Sequence, residues 1–259
     1  NMKTVIFFFF LGTRISEESV LKPKPMIEIG GKPIIWHIMK IYEAQGYNDF
    51  IICLGYKGHM IKEYFLNYYL YNSDVTIELE KNKVDVHFSH TESFKVTLID
   101  TGIDTNTAGR IKRIQKYIGN ESFMLTYGDG LANIDIKKLI EHHNASKRFA
   151  TLTSIQIPGR FGHLDINENG IVGKFQEKPN NDGLWINGGF FVLEPEIFNY
   201  LEGNMDMVQW EKKPLMEIAN DGQLAAYTHK GFWKAMDAMR DRIELEELWK
   251  SNQAAWKIW

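Results

Sequence analysis

The sequence predicts an α/β fold: a mixed, mostly parallel central sheet flanked by helices, with small antiparallel additions. Three observations lead there. In the first half, short apolar runs alternate with helix-length amphipathic stretches, which is the pattern of βαβ units. Those runs are apolar on both faces, as strands covered by helices on each side must be. In the second half several strand-like runs follow one another over short links, and short links favour antiparallel neighbours.

The elements follow in order. Thr4–Phe10 is the first strand, and Pro33–Gln45 reads as a helix with proline in its first turn and Gly46 just past its end. Phe50–Leu54 is a second buried strand and His59–Tyr69 a second helix, with Gly55-Tyr56-Lys57-Gly58 as the turn between them. Val75–Glu80 and Val84–His90 form a hairpin around Lys-Asn-Lys. Lys95–Ile99 is a strand, Gly109–Tyr117 a helix with a basic face, and Phe123–Tyr127 a strand that stops at Gly-Asp-Gly before the helix Ile136–Ser146. Beyond it, Thr151–Ile157, His163–Ile166, Val172–Gln176 and Ile186–Leu193 are strand-like. Pro195–Leu201, Pro214–Asn220 and Met239–Ser251 are helices, and the tail around Trp256 and Trp259 is expected to pack on something, another subunit included.

Composition narrows the function. The 259 residues carry 30 Lys+Arg against 33 Asp+Glu, a formal net charge of −3, with 44 % apolar and 24 % charged residues. That is an ordinary globular balance in a chain long enough to bury a full core. Without a basic excess, broad binding to a nucleic-acid backbone is not expected, so any anion must be held by a few placed cations. Cys53 stands alone, so no internal disulfide and no cysteine-based zinc site can form, which favours a reducing compartment. No apolar stretch reaches the roughly 18 residues of a membrane span. The apolar residues 4–11 are followed by no small-residue cleavage site. A cytoplasmic protein with no membrane partner is expected.

Four segments offer chemistry. Leu11-Gly12-Thr13-Arg14 with Lys22-Pro23-Lys24-Pro25-Met26 behind it combines a glycine turn, a hydroxyl and cations suited to a polyphosphate. The prolines would hold Lys24 at a fixed distance. Tyr127-Gly128-Asp129-Gly130 puts a carboxylate between two glycines at the carboxyl end of a strand, where ligands bind in open α/β sheets. Phe232-Trp233-Lys234-Ala235-Met236-Asp237 ends a second apolar run in an acid. Facing one another, Asp129 and Asp237 would hold Mg²⁺ while substrate phosphates complete its shell; singly, each is better explained as a turn cap. In Gln176-Glu177-Lys178-Pro179 and Ile186-Asn187-Gly188-Gly189, Glu177 and Asn187 suit sugar hydroxyls and Lys178 a phosphate, unless both are plain strand ends. A nicotinamide dehydrogenase is disfavoured, because no Gly-x-Gly-x-x-Gly follows the first strand.

Taken in order, Gly12-Thr13-Arg14, Lys22–Met26, Gly30-Gly31-Lys32-Pro33, Gly128-Asp129, Glu177-Lys178-Pro179 and Asn187-Gly188 resemble the sugar-1-phosphate nucleotidylyltransferases over essentially the whole chain. Pro158-Gly159-Arg160-Phe161-Gly162, Asn187–Phe191 and Gly231-Phe232-Trp233 leading to Asp237 make it most similar to the members that use CTP and glucose 1-phosphate. The resemblance implies a Rossmann-like nucleotidyltransferase fold in a single domain over residues 2–259. Residues 2–130 would form the nucleotide-binding half, and 131–259 the sugar-phosphate half with the C-terminal helices. It also implies Mg²⁺ dependence, CDP-glucose and pyrophosphate as products, and a place in the dideoxy-sugar synthesis of bacterial O-antigens. The nucleotide would lie on Leu11, Gly12, Thr13, Arg14, Lys24, Arg110, Gly128 and Asp129. Arg14, Lys24 and Asp129 would be catalytic, Asp129 and Asp237 the metal ligands, and Glu177, Lys178, Asn187 and Gly188 the sugar-phosphate site. In a homo-oligomer Arg110 would reach a neighbour's triphosphate, or else lie on a basic solvated helix face. Phe7-Phe8-Phe9-Phe10 stands where the family carries Leu-Ala-Gly-Gly. Use of dTTP or UTP, or a catalytically impaired or non-catalytic chain, therefore remains open beside the CTP reaction.

Overall fold

A computed structural model describes residues 2–8, 22–89, 91–156, 163–166, 171–176 and 184–259. β1 (Thr4–Phe7) runs through the middle of the main sheet. Alternate side chains of a strand point to opposite faces, and here both faces are apolar: Val5 and Phe7 enter one core cluster, Ile6 the other. Glu28–Ile29 (β2) and Lys32–Pro33 (β3) form a small antiparallel ladder across Gly30-Gly31, ahead of helix α1 (Ile34–Glu43). β4 (Asp49–Leu54), α2 (Gly58–Tyr71), the hairpin β5 (Ser73–Glu78) and β6 (Lys83–Ser89), and β7 (Lys95–Asp100) follow.

The helix expected over 109–117 is two pieces, α3 (Thr107–Arg113) and α4 (Gln115–Ile118). α3 starts where the Asn106 side chain accepts from the Thr107 amide, a local cap. β8 (Phe123–Tyr127), β9 (Gly130–Ala132), α5 (Ile136–Ser146) and β10 (Ala150–Gln156) come next. β11 (His163–Ile166) pairs antiparallel with β12 (Val172–Gln176). The run expected as one strand over 186–193 is β13 (Trp185–Asn187) and β14 (Phe191–Leu193). Gly189 and Phe190, both at positive φ, turn the chain between them. Pro195–Tyr200 is a 3-10 helix; α6 (Lys213–Asn220), β15 (Leu224–Thr228), β16 (Trp233–Ala235) and α7 (Met239–Lys250) complete the described elements.

The main sheet has the order β13-β10-β14-β8-β1-β4-β7, with β15 on β10. β1 is parallel to β4 and β8, β4 to β7, and β10 to β15, whereas β14 is antiparallel to both β8 and β10, and β13 to β10. Strands from both halves of the chain thus share one sheet, and the carboxyl ends of β1, β4, β7 and β8 lie along one edge. The aromatic tail packs on its own chain: Trp256 is fully buried, and Trp259 stacks edge-on against Trp36 of α1. The C-terminus also clamps the turn after β2, where Glu246 accepts from the Gly30 amide at 2.8 Å. A side chain at Gly30 would run into the Trp249 ring, its Cβ 2.0 Å from Nε1.

Candidate functional site

The carboxyl edge of the sheet collects the charged residues. β8 ends at Tyr127, and the Gly128 amide still donates to the Phe7 carbonyl at 2.9 Å, so the strand's register carries into the turn and fixes Asp129 beside the end of β1. β16 pairs antiparallel with β9, Ala235 opposite Gly130, and the Met236 amide donates to the Asp129 carbonyl at 2.9 Å. That small ladder brings Asp237, more than a hundred residues away in sequence, next to Asp129. Asp241 holds the loop from the other side: its buried carboxylate accepts from the backbone amides of Asp237 and Ala238 at 3.1 and 2.9 Å. The signal for Asp241 was present in the sequence, as an acid in the first turn of the last helix.

Lys24 completes the cluster. It opens a short 3-10 turn, Lys24–Met26, whose Pro25 and Met26 are buried, so its backbone is anchored as the flanking prolines suggested. Its Nζ donates to Asp129 Oδ2 at 2.5 Å and to Asp237 Oδ1 at 3.0 Å. One ammonium therefore bridges two carboxylates, which can be no farther apart than these two contacts laid end to end. The Lys24 and Asp129 side chains are 17 % and 12 % exposed, while Asp237 at 59 % opens the cluster to solvent. Burial lowers the lysine's proton affinity, but Asp129 and then Asp237 outweigh it and raise it above the usual range, so Lys24 is a firm cation here.

Two carboxylates and one lysine carry a net charge of −1 in a niche with a solvent path. Among the described residues no group of three or more His, Cys, Asp or Glu side chains is placed to hold a metal. The donor set is thus two hard oxygens. It fits a divalent cation such as Mg²⁺ that takes one or two carboxylates and fills its shell with phosphate oxygens and water. It does not suit a self-contained structural metal.

Phe8 contributes to the same corner. A Cβ on Gly128 would fall 1.6 Å from the Phe8 ring, so the ring occupies the space that a side chain there would need. Phe7, by contrast, is buried in the sheet's second core, as a strand residue should be. Asn187 and Gly188 also reach this edge. Asn187 Nδ2 donates to the Tyr127 hydroxyl at 2.9 Å, and the Gly188 carbonyl accepts from Trp233 Nε1 at 2.8 Å. Glu211, which sequence reading passed over, accepts from the Tyr127 hydroxyl at 2.8 Å.

Arg110 does not join the cluster, nor does it lie on the basic outer face of the 109–117 segment, where Arg113 and Lys116 are exposed. Arg110 itself is 3 % exposed, and its guanidinium donates to the Leu54 carbonyl at 3.0 Å and to Thr101 Oγ1 at 2.7 Å, filling the space left open by Gly55. The reason is packing: α3 lies on β4 and β7, and the sheet-facing stripe of so short a helix includes Arg110 beside Ile111. Cys53 is buried, its thiol pushed up to about 12 by burial, which removes it from nucleophilic chemistry. Leu11, Gly12, Thr13, Arg14, Glu177 and Lys178, together with Pro158–Gly162, lie outside the described residues.

Comparison with known proteins gives this geometry a context. A family model described as nucleotidyl transferase matches residues 11–250. The chain is 53 % identical over 259 residues, the full length of both, to glucose-1-phosphate cytidylyltransferase of Salmonella typhi. It is 31 % identical over 200 residues, 76 % of this chain and 78 % of the other, to D-glycero-alpha-D-manno-heptose 1-phosphate guanylyltransferase of Campylobacter jejuni. Among solved structures, HddC of Yersinia pseudotuberculosis superposes with a TM-score of 0.68 at 25 % identity, covering 96 % of this chain and all of the other.

Proposed function

The chain belongs to the nucleotidyl transferase family, and on that premise we propose that it transfers the cytidylyl group of CTP to glucose 1-phosphate, giving CDP-glucose and pyrophosphate. The observation that carries the reading is the Lys24–Asp129–Asp237 cluster at the sheet's carboxyl edge, in a chain so similar throughout to the Salmonella cytidylyltransferase. A phosphate oxygen of glucose 1-phosphate attacks the α-phosphorus of CTP, and the bond to the β-phosphate breaks as pyrophosphate leaves. No covalent enzyme intermediate is needed, so the protein's work is alignment and neutralisation of charge.

Enzymes of this family generally use a divalent metal, and here we assign Mg²⁺ to Asp129 and Asp237. When bound, it neutralises phosphate charge and orients the reacting oxygens. Lys24, released from the carboxylates, moves its ammonium to the α-phosphate or the sugar phosphate. Arg14, with Leu11, Gly12 and Thr13, grips the β- and γ-phosphates, and the backbone of Gly128 lies along the nucleotide. Lys178 holds the sugar phosphate, while Glu177, Asn187 and the backbone of Gly188 read the glucose hydroxyls. The two halves, 2–130 and 131–259, act as one catalytic unit, and the buried Arg110 supports β4 and β7 rather than a ligand.

No described helix is long and apolar enough to cross a membrane, which accords with a cytoplasmic enzyme. A homo-oligomer is supported by the apolar residues exposed on α2 and the β5–β6 hairpin, Leu66, Tyr71, Ile77 and Leu79 among them. CDP-glucose would supply the synthesis of dideoxy sugars for O-antigen lipopolysaccharide. Asp129→Ala tests the core of the reading: turnover of CTP and glucose 1-phosphate should fall at least a thousandfold with an unchanged far-UV spectrum. Near-normal CDP-glucose formation by that variant would remove the metal assignment. Pyrophosphate release compared among CTP, UTP and dTTP tests the choice of base.

A further inference from the structure

Tyr127 is the last residue of β8, and its hydroxyl is a junction. It donates to Glu211 Oε1 at 2.8 Å and accepts from Asn187 Nδ2 at 2.9 Å. Glu211 Oε2 accepts from the Thr107 hydroxyl at 3.0 Å, and Thr107 Oγ1 accepts from the Trp210 amide at 2.7 Å. At the other end, Asn187 Oδ1 accepts from the Gly189 amide at 2.9 Å.

Every direction along this chain is dictated from its ends. A backbone N–H can only donate, and an ionised carboxylate can only accept. The Gly189 amide can only donate to Asn187 Oδ1, which turns Asn187 Nδ2 toward the Tyr127 hydroxyl. The hydroxyl's single proton therefore goes to Glu211, and its lone pair must take an N–H from Asn187. The Asn187 carboxamide is left with its nitrogen toward Tyr127 and its oxygen toward Gly189, and these two bonds use one of its two N–H groups and one of its two oxygen lone pairs. The ring of Tyr127 is itself fixed, wedged over Gly189, where a Cβ would lie 2.8 Å from Cδ2, and against Phe7 at a centroid distance of 5.0 Å.

We propose that Glu211, acting through Tyr127, is a positioning residue that fixes which way the Asn187 carboxamide faces, and so sets its fit to the sugar hydroxyls. The proposal rests on the reading of Asn187 as a glucose contact. Glu211 and Asn187 are joined through the Tyr127 hydroxyl that both contact.

The test measures affinity for CDP-glucose and for CDP by calorimetry in the full-length chain; the ratio of the two isolates the glucose moiety and needs no turnover. Tyr127→Phe, which keeps the ring and removes only the hydroxyl, and Glu211→Gln should each cut the ratio about five- to tenfold while CDP affinity holds. Asn187→Ala should cut it at least as much, and Tyr127→Phe added to Asn187→Ala should cost nothing further. Equal losses for CDP and CDP-glucose, an unchanged ratio in Tyr127→Phe, or additive losses in the double variant would overturn the positioning role. An unchanged ratio in Asn187→Ala, or a wild-type chain that binds neither ligand, would overturn the sugar-contact reading and the proposal with it. Should Glu211→Gln not fold, the Tyr127→Phe arms decide alone.

Discussion

Without ligands, Lys24 stands where a cation is wanted, and the consequence can be measured. Replacing it by methionine keeps the apolar stem and removes the ammonium that now contacts Asp129 at 2.5 Å and Asp237 at 3.0 Å. Two carboxylates would then share a niche without a counter-ion. A pair of unit charges about 4 Å apart interacts by about 4 kcal/mol at an effective dielectric near 20. Asp237 is largely exposed, so its share is closer to that of a surface pair, at most about 1 kcal/mol. Because the displaced ammonium regains water in wild type, about 1.4–2.8 kcal/mol of that competition should remain. Lys24→Met should therefore bind Mg²⁺ alone about ten- to a hundredfold more tightly than wild type. Isothermal titration with MgCl₂ in nucleotide-free buffer reads this directly, and a thermal shift on Mg²⁺ addition should appear in the variant before it does in wild type. The variant should still lose turnover, because the phosphate contact is gone. Identical Mg²⁺ affinities in the two proteins would refute the idea that lysine and metal compete for the same oxygens.

Two further predictions concern packing and pH. Gly128→Ala would drive its Cβ into the Phe8 ring, so a loss of about 1–3 kcal/mol in chemical denaturation is expected. Adding Phe8→Ala should recover most of it; no recovery would mean that the ring does not rest there. His37 is fully buried, with Nε2 on the Ile29 carbonyl at 2.8 Å, and burial lowers its pKa to about 4. Because the unfolded chain takes up this proton first, stability present at neutral pH should drain away as pH falls from about 6.5 towards 4, by about 3 kcal/mol in all. Unfolding free energies of wild type and His37→Gln measured across that window should converge towards the acid end, and parallel curves would exclude the histidine as the cause.

Much of the architecture was legible because short-range physics wrote it. The stretches Phe123–Tyr127 and Ile136–Ser146 match their observed bounds, since a doubly buried strand and an amphipathic helix each carry their own period. Where expectation and structure part, a tertiary partner intervened. Leu224–Thr228 shows no strong strand pattern, yet it lies parallel to β10 as an added strand. Ile186–Leu193 looked continuous, but Gly189 and Phe190 take positive φ and turn the chain between two strands. Arg110 reads as solvated in any local view and is buried because α3 lies against the sheet.

The candidate site divides in the same way. Residue chemistry alone marked Lys24, Asp129 and Asp237, since a proline-braced lysine and acids at strand ends are local features. That the three share one contact depends on the pairing of β9 with β16, a three-residue ladder between distant segments that no periodicity encodes. The relay from Thr107 through Glu211 and Tyr127 to Asn187 is likewise silent in sequence, because its members are ordinary polar residues far apart along the chain. Composition and period decide what each segment becomes. Which segments meet is decided by long-range pairing, whose energy is spread over many weak contacts and belongs to no single stretch of chain.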